Sequence, residues 1–348
     1  MIKTVLSLNF PVEEQFRIRK QRILPDGYTE NSDLSEFKRF CIVTGTHGDE
    51  LEGQFVCYEV SKRIQQHIQC LNGVVDIYPA LNPLGIDSIE RGIPGFDLDM
   101  NRIFPGSENG SMAEHAAASI IHDLIGADMV IDIHASNLYL TEIPQVRISE
   151  TFEKQLVPYA EKLNVDFIWV HSAATVLEAT LAHSLNSAGT PTLVVEMGVG
   201  LRLTQAYGKQ LTEGIFSLMH DMGIWQGDAV TPRKPLLSRD PEDVEFLNAP
   251  VSGLFIQHME HNSFAYQGQI IGEIADPLQG KCLYEIEAPC TGLIFTLREF
   301  PVVDEGSLLG RILKTRAIDP GRLNTYEKRG VLPVSSLDLA KYRGGEES

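Results

Sequence analysis

Phe40-Cys41-Ile42-Val43-Thr44-Gly45-Thr46-His47-Gly48-Asp49-Glu50 is the stretch that decides the fold of this chain. Its four leading apolar residues read as a buried strand, and Glu52–Gln66 follows as a helix with Phe55, Val56, Val60 and Ile64 on one face. Gly45, Gly48 and Gly53 suit a tight turn between the two. His47 and Glu50 therefore fall just past a strand's C-terminal end, where open α/β sheets place their ligands. A His, a Glu three residues on and a distant second His would supply the three N and O ligands of a catalytic zinc ion, with one position left open. With ten histidines in the chain, an isolated H-x-x-E pair is expected by chance, so the reading depends on what stands at the other strand ends.

Three further sites carry weight. Met129–Ile133 reads as a strand that leads into His134, the third metal-ligand candidate, and alternation puts Asp132 on the same side of the sheet. Asp132 would then fix the tautomer of the His134 ring. Thr192–Val195 leads into Glu196, a carboxylate that is costly to bury unless something needs it; its candidate role is general base toward metal-activated water. Asp99-Met100-Asn101-Arg102 lies in a Gly- and Pro-rich loop, where Arg102 can grip a carboxylate bidentately and Asn101 can add an amide contact. Arg91 and Arg147 are further cations that could face the same cleft, and His115 and His122 read as packing or surface residues. Neither a G-x-S-x-G nucleophile elbow nor a phosphate loop is present.

Val74–Tyr78 and Phe167–Val170 complete the strands, with helices at Ser111–Ile125 and from about Thr175 to Ala188. Strands alternating with helices imply a mainly parallel sheet covered on both faces. Residues 226–246 change character, with Pro232, Pro235 and Pro241, and read as a linker. Beyond it lies a repeat: Ala249-Pro250-Val251-Ser252-Gly253-Leu254-Phe255 recurs as Ala288-Pro289-Cys290-Thr291-Gly292-Leu293-Ile294. Gln267–Gly272 recurs as Glu305–Gly310, which argues a small all-β domain with internal pseudo-symmetry. Expected domains are residues 1–230, carrying the chemistry, and 231–348, with the repeat at about 245–315 and a polar, frayed tail from Lys314 onward.

A net charge of −18 offers no basic stripe for phosphates and argues against a nucleic-acid partner. No apolar run has the length of a membrane span, and residues 1–10 are too interrupted for a secretory leader. Five cysteines without a C-x-x-C read as buried free thiols of a reducing compartment, so a cytoplasmic protein is expected.

Taken together, these residues resemble the succinylglutamate desuccinylase/aspartoacylase family, a branch of the zinc carboxypeptidase superfamily. The matching pieces are Gly45-Thr46-His47-Gly48-Asp49-Glu50, the run from Asp97 to Gly106, Asp132-Ile133-His134-Ala135-Ser136 and Val195-Glu196-Met197-Gly198, in family order. The resemblance implies one Zn2+ per chain on His47, Glu50 and His134, with Glu196 as the catalytic carboxylate. It implies that Asn101 and Arg102 hold the substrate's α-carboxylate and that Arg91 polarises the scissile carbonyl. It implies an α/β fold with a zinc-carboxypeptidase-like mixed sheet flanked by helices, followed by a small all-β barrel-sandwich-like domain. That domain is similar to biotinyl and lipoyl carriers, but its hairpin Leu283–Pro289 has no lysine in a Met-Lys-Met setting, so a cap over the active-site mouth is the expected role. After Glu196 the chain runs Met197-Gly198-Val199-Gly200-Leu201-Arg202, without the Lys-x-x-Pro continuation of true succinylglutamate desuccinylases; this leaves the reaction class in place and the named substrate open.

The expected activity is zinc-dependent hydrolysis of the amide bond of an N-acyl amino acid, a small-molecule substrate with a free carboxylate. A zinc carboxypeptidase acting on short peptides and a catalytically silent binding protein of the same fold are the alternatives. The oligomeric state stays open, a homo-oligomer included.

Overall fold

The computed structural model describes residues 1–96, 98–172 and 178–327. They divide into two compact units, the first ending at Glu242 and the second starting at Asp243.

The first unit is built on one mixed sheet. Its strands are β1 (Ile2–Asn9), β2 (Gln15–Ile23), β3 (Arg39–Thr44), β4 (Val74–Tyr78), β5 (Met129–His134), β6 (Leu140–Ser149), β7 (Phe167–His171), β8 (Thr192–Gly198) and β9 (Leu236–Ser238). They lie in the order β1-β2-β4-β3-β5-β8-β6-β7-β9. The centre, β4-β3-β5-β8, is parallel. The sheet as a whole departs from the mainly parallel pattern that strand–helix alternation suggests, because β1 and β2 form an antiparallel hairpin against β4, and β6 runs antiparallel to β8. A mixed sheet with helices on both faces is the result.

Alternation along the strands sorts side chains between the two faces. Ile131, Ile133, Leu193, Val195 and Met197 join the core beneath α1 (Glu52–Gln66), α4 (Glu153–Ala160) and α6 (Gln205–Asp221), which supply Val56, Val60, Leu156, Leu211 and Ile215. Cys41, Val43 and Val130 face α3 (Met112–Leu124) and α5 (Leu181–Ser187) through Ala116, Ile120, Leu124 and Leu185. α3 starts with a reciprocal capping box between Ser111 and Glu114, worth about 1 kcal/mol. The expected start of the α5 segment at Thr175 lies outside the described residues; within them the helix begins at Leu181.

In the second unit, β10 (Val244–Asn248), β12 (Phe264–Ala265), β15 (Gly292–Arg298) and β17 (Leu308–Lys314) form one sheet, in the order β10-β17-β15-β12. β11 (Gly253–Gln257), β13 (Ile270–Asp276), β14 (Lys281–Glu287) and β16 (Val302–Val303) form the other, in the order β14-β13-β11-β16. The repeat explains this division. The first copy pairs β11 with β13 and the second pairs β15 with β17, so each copy contributes a hairpin-like pair to a different sheet. Phe255 and Ile274 from one copy and Ile294 and Ile312 from the other share a core. The tail is ordered further than its polarity suggests: α7 (Pro320–Glu327) follows β17 with Tyr326 buried, and the rest lies outside the described residues. No helix among the described residues is long and apolar enough to cross a membrane.

The turn that follows β3 is held by close packing. Gly45 takes a φ of +67°, a conformation that favours glycine. Gly48 donates to the Glu90 carbonyl at 3.1 Å and lies against α2 (Pro83–Ser88). A Cβ at position 48 would stand 2.0 Å from the Gly85 carbonyl carbon. Gly48→Ala is therefore expected to push α2 away and cost about 1–3 kcal/mol of stability, read as a lower urea midpoint at unchanged slope.

Candidate metal and catalytic site

His47 and Glu50 lie in the turn after β3, and His134 is the last residue of the adjacent parallel strand β5. The Glu50 carboxylate bridges the two rings: Oε1 lies 2.7 Å from His47 Nδ1, and Oε2 lies 2.9 Å from His134 Nδ1. Oε2 also accepts from the Ala135 amide at 3.1 Å. One ligand atom from each of the three residues lies within 4.8 Å of the others, and all three residues are buried.

The outer nitrogens decide what the inner ones can do. His47 Nε2 is 3.0 Å from Asp99 Oδ1, and His134 Nε2 is 3.2 Å from Asp132 Oδ1. The first is an aligned hydrogen bond, whereas the second has the distance of an ion pair without the alignment. Carboxylates only accept, so both rings carry their proton on Nε2 toward these partners. Each Nδ1 lone pair then points at Glu50, another acceptor. Such a contact is repulsive unless a cation stands between them, either a proton on each ring or one divalent metal ion. The charges agree with this balance. Burial alone would lower both imidazole pKa values, yet Glu50 with Asp99 raises that of His47, and Asp132 with Glu50 holds that of His134 well above its ordinary value. Burial would likewise raise the Glu50 carboxyl, but the two imidazoles hold it far below the usual range. A proton on each ring or one divalent cation would balance this cluster, and the three converging donors fit the latter.

Glu196 stands beside this cluster. Parallel register pairs it with His134 across β5 and β8, so both side chains leave the same face of the sheet. Burial pushes its pKa up to about 6, against the opposing pull of Arg147 and His134. Arg147 on β6 binds both oxygens of the buried Glu142, at 2.8 and 2.7 Å, and stands 3.4 Å from Glu196. Arg147 is thus placed at this site by contact with Glu196. Glu142 carries no motif and was not legible as a site residue; it is recognised only because the antiparallel pairing of β6 with β8 brings it next to Gly198.

The 91–102 loop reaches the cluster through Asp99. Arg91 contacts Glu50 at 3.0 Å and Asp99 at 3.4 Å. The Asp99 carboxylate accepts from the Asn101 amide and lies beside His47. Asn101 Oδ1 accepts from the Leu181 amide, and the exposed Arg102 guanidinium binds the Asn101 carbonyl. His47, Glu50, His134, Glu196 and Arg91 are therefore brought together, while Asn101 and Arg102 stand on the same short turn as Asp99 without contacting the metal-ligand candidates. Asp97, at the head of that motif, lies outside the described residues. His115 and His122 take no part: one binds the Glu108 carbonyl and the other, largely exposed, its carboxylate.

Known proteins resemble this chain in sequence and in fold. A family model for the succinylglutamate desuccinylase/aspartoacylase catalytic domain matches residues 36–222. An N-alpha-acetyl-L-2,4-diaminobutyric acid deacetylase from Halomonas elongata is 24% identical over 264 residues, covering 74% of this chain and 76% of that protein. Among solved structures, the product-bound ectoine utilization protein EutE (DoeB) from Ruegeria pomeroyi matches with a TM-score of 0.73 at 18% identity, over 89% of this chain and 93% of that one. A succinylglutamate desuccinylase/aspartoacylase from Rhodobacter sphaeroides matches with a TM-score of 0.72 at 19% identity, over 89% and 95%. At these identities the structural matches speak for the fold. The family match spans more than half of the chain and every residue of the metal-ligand cluster, and the chain belongs to the succinylglutamate desuccinylase/aspartoacylase family.

Proposed function

We propose that the protein is a zinc-dependent amidohydrolase that cleaves the amide bond of an N-acyl amino acid, with one zinc ion per chain. The observation that carries this reading is the convergence of His47, Glu50 and His134 on one cation position with Glu196 in register beside them. The Halomonas elongata relative is named as a deacetylase of an N-acetylated amino acid, which supports the same substrate class here. Zinc bound there supplies Lewis acidity and acidifies water toward neutral pH.

The chain's own residues do the rest. Glu196, with its carboxyl raised to about 6, takes a proton from attacking water and delivers it to the leaving nitrogen. Arg147 keeps that carboxyl from rising further and keeps a positive charge beside it. Arg91 is the donor for the developing oxyanion, and Asn101 with Arg102 receives the substrate's free carboxylate. Asp99 and Asp132 hold the two imidazoles in the tautomer that leaves Nδ1 for the metal. The carboxypeptidase-like placement of these groups, and the assignment of the chemistry to residues 1–230, belong to the same proposal.

The test is metal analysis of the purified protein followed by hydrolysis of N-acyl amino acids and of dipeptides. Stoichiometric zinc and release of free amino acid from the N-acyl panel are expected. Arg102→Ala should raise KM at least about tenfold with a smaller change in kcat, as loss of a charged carboxylate contact costs roughly 1.5–3 kcal/mol. Faster cleavage of dipeptides than of N-acyl amino acids would favour a carboxypeptidase. Absence of zinc and of hydrolysis on both panels would sink the enzymatic reading.

A further inference from the structure

A second cleft lies in the first unit, of about 790 Å³, within the volume range of small-molecule sites. It opens between the outward face of the β1–β2 hairpin and α1. None of the metal-ligand or carboxylate-binding candidates lines it. Ile2, Ile77, Cys57 and Pro79 give it an apolar wall, and Arg19, Lys62, Tyr58, Gln54 and Gln65 supply polar ends.

Its charge is opposite to that of the chain. The protein has 47 acidic and 29 basic residues, yet no Asp or Glu lines this cleft. Arg19 is exposed on β2 and makes no ion pair among the described residues. Lys62 lies over the Tyr58 ring at 5.3 Å, with the half-buried Glu59 at 3.7 Å as a loose ion-pair partner. Lys20 is spoken for: its ammonium is held by Asp76 and Asp123, so Arg19 and Lys62 are the cations open to a ligand. The floor is preorganised, because Gln65 donates to Ser61 at 2.8 Å and Ser61 donates to Gln21 at 2.7 Å, tying α1 to β2. An apolar wall with two cations at its rim and no carboxylate in its lining selects an organic anion with an apolar body.

We propose that this cleft binds an amphipathic organic monoanion, an aryl or alkyl carboxylate, with its carboxylate between Arg19 and Lys62 and its apolar part against Ile2, Cys57 and Ile77. The proposal is independent of the catalytic reading. The probe is phenylacetate, titrated calorimetrically into the full-length protein and compared with phenethylamine, which has the same ring and the opposite charge. One equivalent of phenylacetate is expected to bind. Affinity should fall at least about tenfold in Arg19→Glu/Lys62→Glu, the loss of a charge-assisted contact, and stay unchanged in Arg102→Ala. Both substituted residues are exposed, so an unaltered melting temperature is expected in the double variant; Ser61→Trp, which fills the cleft from α1, should block binding in the same way. Absence of binding, equal binding of phenethylamine, or binding lost in Arg102→Ala but kept in both cleft variants would each overturn the proposal.

Discussion

Glu196→Gln is expected to lower kcat/KM by about 10²–10⁴ on the best N-acyl amino acid substrate, while zinc content and melting temperature stay near those of the parent. The amide keeps the size of the carboxylate and its place on β8 opposite His134, but it cannot accept a proton. The pH dependence carries the assignment further. Burial raises the Glu196 carboxyl to about 6, and only its ionised form can act as base. Activity should therefore fall as pH drops through about 6, with a limb that the Gln variant lacks. Arg147 acts on that limb from 3.4 Å; its positive charge holds the pKa down. A residue that merely supported β8 would lose activity together with stability and would leave the shape of the pH profile unchanged. Near-parental activity in Glu196→Gln would remove the residue from the proton-transfer role.

Much of the fold was legible because its central strands carry short apolar runs. Phe40–Val43, Val74–Val75 and Met129–Ile131 are buried, Leu193–Val195 nearly so, and a run of that kind stands out whatever its neighbours are. The metal-ligand and Glu196 positions were legible with them, since each follows one of these runs. β2 escaped because its inward residues are Phe16, Ile18 and Lys20, and a buried lysine breaks the apolar alternation. That lysine is compensated by Asp76 and Tyr78 on β4 and Asp123 on α3, partners far from it in the chain. β6 escaped for the same reason. Leu140–Ser149 contains Pro144 at its middle and buries Glu142 and Gln145; Glu142 accepts from the Gln145 side-chain amide and from Arg147. Buried polar residues that bind one another inside a sheet carry no local periodic signal, because the pairing that offsets their desolvation is tertiary. Missing β6 also meant missing Glu142 and the contact between Arg147 and Glu196.

His134→Ala is expected to abolish stoichiometric zinc binding and reduce hydrolysis to background, a larger loss than the ~10–100-fold in metal affinity that removal of an outer partner causes. Asp132→Asn is the milder companion and should fall in that lower range, since it alters only the group 3.2 Å behind the ring. Deleting the imidazole removes one of three converging donors and leaves the buried Glu50 with His47 and Arg91 as its cationic neighbours. Proton competition supplies a second readout. In the metal-free protein both imidazoles hold their protons above the usual imidazole range, His47 through Glu50 and Asp99 and His134 through Asp132 and Glu50, in each case against burial. Each ring must release its Nδ1 proton before that nitrogen can donate to a metal. Zinc affinity should therefore rise with pH through the range where these rings deprotonate, with proton release on binding detectable by calorimetry in buffers of different ionisation enthalpy. The slope of that dependence should be smaller in His134→Ala for any residual zinc, because one competing proton is gone. Stoichiometric zinc retained by His134→Ala, with the parental pH slope, would place the metal on other residues and remove the basis for putting Glu196 at its side.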